Sequence, residues 1–133
     1  MKFMLDTNAC IALIKRKPAA AISRLAALEL GDMGLSSITL AELHYGAQKS
    51  ARVEQNAGAL GEFLLPLEIA PFDAEAAEIY GRVRTALEMR GTPIGALDTL
   101  IGAHALSLGV TLITDNTREF LRIPGLVIEN WFV

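Results

Sequence analysis

MKFMLDTNACIALIKRK, residues 1–17, decides the fold. Phe3, Met4 and Leu5 are a short apolar run of strand character that ends abruptly on a carboxylate, Asp6. Thr7 and Asn8 follow, and residues 8–15 read as a short helix. A buried strand that stops on an acid and passes at once into a helix opens a crossover between parallel neighbours, because parallel strands cannot be joined by a tight hairpin.

The rest of the chain repeats that alternation. Pro18 restarts a helix over residues 19–30, with Ile22, Leu25, Ala26 and Leu28 on its apolar face and Gly31 and Gly34 closing it. Residues 35–38 read as a second strand, and Ser37 or Thr39 is placed to cap the helix that carries Leu40, Leu43 and Ala47. A helix over 51–64 stops at Pro66, residues 67–70 supply a third strand, and Asp73 caps a long helix that ends near Gly91. After the Thr92–Pro93–Gly95 turn, a helix over 97–108 ends at Gly109, followed by the β-branched strand 110–114. A helical turn at 118–121, a Pro124–Gly125 turn and a strand at 127–129 complete the pattern. Short strands separated by helices predict an α/β fold, a three-layer α/β/α sandwich on a mostly parallel sheet of four to five strands.

Composition sets the outer bounds. The chain has 133 residues, 52% hydrophobic and 20% charged, the profile of one globular domain over residues 1–133 without a disordered tail. A single cysteine, Cys10, excludes an intramolecular disulfide, reads as a small buried hydrophobe, and points to a reducing cytoplasm. Asp6 and the run Lys15, Arg16 and Lys17 interrupt the apolar segments, which argues against a secretory signal. No apolar run approaches the roughly 18 residues of a membrane span.

In open parallel sheets, sites collect beyond the carboxyl ends of the strands. Asp6 stands at such an exit, and four other acids fall at comparable places: Glu42 in TLAELHYG, Asp98 in PIGALDTLIGAHAL, and Asp115 and Glu119 after VTLIT. Taken singly, Asp98 or Asp115 also reads as a helix cap and Glu42 as a surface residue. Taken together, several carboxylates at one mouth repel each other unless a cation joins them. An oxygen-only ligand set with no Cys or His partner at metal spacing favours Mg²⁺ or Mn²⁺ over Zn²⁺.

Four segments, MLDTN at 4–8, LAELHYG at 40–46, GTPIGALDTLIGAHALSLG at 91–109 and VTLITDNTREFLRIPGL at 110–126, resemble in order the PIN-domain ribonucleases. The similarity is closest to those that act as VapC-type toxins of type II toxin-antitoxin pairs. The resemblance implies a Mg²⁺- or Mn²⁺-dependent endoribonuclease, homodimeric and restrained by a cognate antitoxin protein, leaving 5′-phosphate and 3′-hydroxyl ends. It points to initiator transfer RNA as the RNA cut, with ribosomal and messenger RNA as alternatives. Carried over by position, the catalytic acids are Asp6, Glu42 and Asp98. The fourth is Glu119 when counted back from Phe120, and Asp115 or the neutral Asn116 when counted forward from Thr114. Glu119 is preferred, with Asp115 behind it or on a metal-bound water. Thr7, Asn8, Thr114 and Asn116 line the site, with turn and cap roles as the alternative.

Water is the nucleophile in that chemistry, so His44 and His104 read as packing or surface residues. The formal charge of −3 includes the clustered acids; two divalent ions would carry it to about +1. Basic clusters at Lys15 to Lys17, Lys49 and Arg52, and Arg82, Arg84 and Arg90 are available to flank the mouth, and Arg118 and Arg122, beside TDNTREF, are the preferred RNA contacts. No aromatic stacking platform stands out, which favours a folded RNA read by shape. Trp131 and Phe132 suit an antitoxin or dimer interface or, equally, the core. Among rival classes, a catalytically degenerate PIN-like scaffold is opposed by the presence of Asp6, Glu42 and Asp98. An Asp-nucleophile phosphatase would need an acid where the chain has Asn8.

Overall fold

The computed structural model describes residues 1–133. In chain order it contains β1 (Phe3–Leu5), α1 (Thr7–Lys15), α2 (Ala19–Ala26), β2 (Met33–Ser36), α3 (Ser37–Gln48) and α4 (Val53–Leu64). There follow β3 (Glu68–Ala70), α5 (Ala74–Met89), α6 (Ala96–Leu108), β4 (Thr111–Ile113), α7 (Thr117–Phe120) and β5 (Ile128–Glu129). The strands form one sheet in the order β3-β2-β1-β4-β5. Every pairing is parallel, and Met4 lies opposite Gly34 on one side and Leu112 on the other.

Alternation along the strands builds two cores from one sheet, because successive side chains point to opposite faces. Met4 and Leu112 pack with Val83, Leu87, Ile101, Ala105 and Phe120, so α5, α6 and α7 cover that face. Leu5, Leu35 and Ile113 pack with Ala9, Leu13, Ala21, Leu43 and Leu60, so α1 to α4 cover the other. Trp131 belongs to this second core and is 3% exposed, its ring tilted against Phe3 and its indole donating to Glu129. Its place is therefore packing. No helix is long and apolar enough to cross a membrane.

The expected three-layer sandwich is present, and its cap signals hold at Asp73, whose carboxylate accepts from Ala76 N, and at Gly109, left-handed at φ 67°. The expected boundaries near β2 require correction. The second helix ends at Ala26, not near residue 30, and Leu30 is 87% exposed. The second strand covers 33–36, not 35–38, and the cap of α3 is Ser36, whose hydroxyl accepts from Ile38 N. Gly34 explains the error: it reads as a helix breaker, yet it sits mid-strand where a Cβ would run into the Glu68 carbonyl of β3. Ser37, one of the expected caps, instead accepts from Phe72 N and ties α3 to the start of α5. Thr39, the other, is buried with its hydroxyl unpartnered.

Candidate active site

β1 is the central strand, and its last peptide delivers Asp6 to the carboxyl edge of the sheet. Asp6 is 2% exposed, and both of its oxygens are held. Oδ1 accepts from Ala9 N at 2.7 Å, capping α1, and Oδ2 accepts from the Thr114 hydroxyl at 2.5 Å. Thr114 Oγ1 in turn accepts from Asn116 N at 2.9 Å, so the exit of β4 is locked to the exit of β1. Burial pushes the Asp6 carboxyl up to about 6; the bonds from Thr114 and Ala9 oppose the rise, and the charges of Asp115 and Asp98 add to it. A capping role and a place in an acidic cluster thus coexist in one residue.

The other expected acids are coupled electrostatically to Asp6 or to Asp98. Asp98 lies in the first turn of α6, half-buried, and its carboxyl is raised by burial and by the charges of Glu119 and Glu42. Glu42, on α3, accepts from the Thr7 hydroxyl at 2.6 Å, which links it to the first residue of α1. Glu119, on α7, accepts from the Asn116 amide at 3.1 Å. Asp115 is exposed at the rim and acts on Asp6. Glu119 and Asp115, alternatives for one position in the sequence, both lie within electrostatic reach of the cluster, one beside Asp98 and the other beside Asp6. Thr7, Thr114 and Asn116 each donate to one of the acids or orient a donor, and Asn8 lines the adjoining groove.

The donor set suits a hard cation. It is all oxygen, it is mutually repulsive when empty of positive charge, and no histidine or cysteine side chain enters it. No three acidic, histidine or cysteine side chains stand close enough together to enclose an ion by themselves.

Basic groups frame the acids unevenly. Arg118 is exposed on α7, whereas Arg122 donates to the Pro93 carbonyl at 3.0 Å and so pins the turn that launches the Asp98 helix. A groove of about 430 Å³ opens between α1, α3 and α4, lined by Thr7 and Glu42 at one end and by Lys15 and Lys49 at the other. Tyr45 lines it and is 66% exposed. The sequence carries a signal for it that composition hides: Tyr45 follows Glu42 by three residues on one helix, and such neighbours share a face. His104 is fully buried, its Nδ1 2.8 Å from the Ser36 hydroxyl and its ring edge-on to Phe72. Burial lowers its affinity for a second proton. It therefore supports, as a neutral ring, the cap of the helix that carries Glu42. His44 is exposed.

Comparison with known proteins gives the family. The PIN domain family matches residues 3–126. The chain is 47% identical over 131 residues to the tRNA(fMet)-specific endonuclease VapC of Salmonella typhimurium, covering 98% of each. It is 46% identical over 132 residues to Ribonuclease VapC2 of Rickettsia felis, again covering 98% of each. Among solved structures, VapBC2 from Rickettsia felis bound to a DNA fragment from its promoter contains a chain with a TM-score of 0.94 and 45% identity, covering 98% of this chain and 99% of that one.

Proposed function

The chain belongs to the PIN-domain family, and from that premise we propose that it is a metal-dependent endoribonuclease, the toxin of a type II toxin-antitoxin pair, acting on initiator transfer RNA. The observation that supports the reading is the electrostatic coupling of Asp98 to Asp6, Glu42 and Glu119 near the carboxyl edge of the sheet. The substrate class is supported by the relative named as tRNA(fMet)-specific, and the antitoxin partner and hetero-oligomer by a neighbour solved as a VapBC complex. A homodimeric toxin in the cytoplasm completes the reading.

Asp6 and Asp98 would hold the ion, Mg²⁺ or Mn²⁺, with Glu42, Glu119 and Asp115 acting through its water shell. When bound, such an ion lowers the pKa of a water, polarises the phosphodiester and offsets charge on the leaving oxygen. The protein supplies orientation. Ala9 N and the Thr114 hydroxyl fix the Asp6 carboxylate at both oxygens, leaving each oxygen further acceptor capacity. Thr7 and Asn116 do the same for one oxygen of Glu42 and of Glu119. A carboxyl that holds its proton to about pH 6 is ionised at pH 7.5 and ready to bind a cation. Arg118, exposed on α7, would contact phosphate, and Arg122 keeps the Asp98 turn in position.

Purified protein incubated with initiator transfer RNA transcript tests the reading. Cleavage in Mg²⁺, its loss in EDTA and its loss in Asp98→Asn are expected; undiminished cleavage in EDTA would exclude the metal role.

A further inference from the structure

The walls of the groove beside the acids share one pattern. Along α3 and its C-terminal cap, Glu42, Tyr45 and Lys49 stand three and then four residues apart, and along α1, Asn8, Ile11 and Lys15 repeat that spacing; all six line the groove. Each helix therefore presents a polar group at the acidic mouth, an apolar group in the middle and a lysine at the far end. With 1.5 Å of rise per residue, each lysine sits about 10 Å along its helix from the mouth. Tyr45 and Ile11, at 66% and 38% exposed, leave the middle of the groove apolar and open. The Lys49 ammonium lies 4.8 Å from the centroid of the Tyr45 ring.

This order of groups matches a nucleotide strand leaving the acids. The lysines carry the sign that phosphates need and stand beyond the acids that would repel them. Between them, the Tyr45 ring offers an unstacked base a flat partner, and Lys49 on one ring face strengthens stacking on the other. We propose that the groove between α1, α3 and α4 is a subsite for the nucleotide next to the scissile phosphate, whose base stacks on Tyr45 while Lys15 and Lys49 engage the following phosphates. The subsite rests on the ribonuclease reading above and assigns one step of it: capture of a splayed-out nucleotide that sets the cutting register. Tyr45 is a positioning residue, since it touches substrate away from the reacting atoms.

The test uses labelled initiator transfer RNA transcript and the full chain. In an Asp98→Asn background, where RNA binds without being cut, Tyr45→Ala is expected to weaken binding roughly ten-fold, Tyr45→Phe to keep it, and Tyr45→Leu to lose it as alanine does, because stacking needs a ring and not merely apolar area. Lys15→Gln and Lys49→Gln should each lower the slope of log Kd against log salt by about one. In the cutting enzyme, Tyr45→Ala should raise KM with a smaller effect on kcat. An abasic residue beside the mapped cut should cost the wild type about ten-fold, and cost Tyr45→Ala almost nothing further. Equal RNA binding by wild type and Tyr45→Ala overturns the subsite; so does unchanged RNA binding with lost capture of a co-expressed antitoxin, which would make the groove a protein-binding face. Failure of the wild type itself to bind or cut RNA overturns the ribonuclease reading instead, and the subsite with it.

Discussion

Asp6→Asn should abolish metal-dependent cleavage and at the same time make the metal-free protein more stable. Asp6 is 2% exposed, and its folded-state pKa of about 6 stands above the ordinary 3.8. A tenfold difference in proton affinity corresponds to about 1.36 kcal/mol, so the ionised carboxylate costs the folded state about 3 kcal/mol above pH 7. Asparagine removes the charge and still caps α1 from the same position, since aspartate and asparagine are equivalent caps. One of the two bonds to Asp6 must be rearranged, because the amide offers a single acceptor where Ala9 N and Thr114 both donate; that returns about 1 kcal/mol. The net gain is about 2 kcal/mol, which for a domain of this size raises Tm by roughly 7 °C.

The sign with pH follows from the direction in which burial moves the carboxyl. Folded Asp6 keeps its proton to higher pH than the unfolded chain does, so between about pH 4 and 6 the folded state binds more protons and its stability falls as pH rises. The penalty is fully developed above about pH 7 and absent below both pKa values. Thermal melts of wild type and Asp6→Asn in EDTA at pH 7.5, 6, 5 and 4 should show a gap that is widest at 7.5 and closes by about 4. Added Mg²⁺ should raise the wild-type Tm and leave the variant nearly unmoved. A variant that melts below wild type at pH 7.5, or a gap independent of pH, would refute the claim that Asp6 is held in place at an electrostatic cost.

Other expectations rest on single contacts. Gly34→Ala would press a methyl against the Glu68 carbonyl and the Met1 side chain, and should cost about 1–3 kcal/mol in urea unfolding with activity lost only through instability. Ser36→Ala removes both the α3 cap and the Nδ1 partner of buried His104, and should lower stability by about 1–3 kcal/mol; a loss below half a kcal/mol would show that the cap is dispensable. Cys10 is buried, with its thiol pushed far up by burial and by the nearby Asp6 charge. A disulfide reagent should therefore label it only as fast as the protein opens, and fast labelling of the folded chain would contradict the packing.

Local chemistry that acts alone is legible in the sequence. The apolar run ending at Asp6, the Asp73 cap and the Gly109 stop each work through neighbours a few residues away, and each is where pattern reading places it. What escapes depends on partners far along the chain. Gly34 is a strand residue because Glu68 approaches it, and nothing near Gly34 reports that approach. His104 reads as incidental until the fold brings Ser36, sixty-eight residues earlier, to its ring. The choice between Asp115 and Glu119 is a question only in one dimension. In the folded chain Glu119, on the short α7, raises the Asp98 carboxyl while Asp115 raises that of Asp6, so both acids act on the expected site. Composition does not mark Tyr45, and its spacing from Glu42 gains meaning only from the groove that α1 and α4 complete around it.

If these carboxylates support RNA cleavage, cells that express the protein carry new RNA ends. The most direct measurement is sequencing of RNA 5′ ends after brief expression of the wild type and of Asp98→Asn in otherwise identical cells. New 5′-phosphate ends at a discrete position in initiator transfer RNA, present with wild type and absent with the variant, are the predicted result. The same ends produced by both proteins, or no new ends from an expressed and folded wild type, would contradict it.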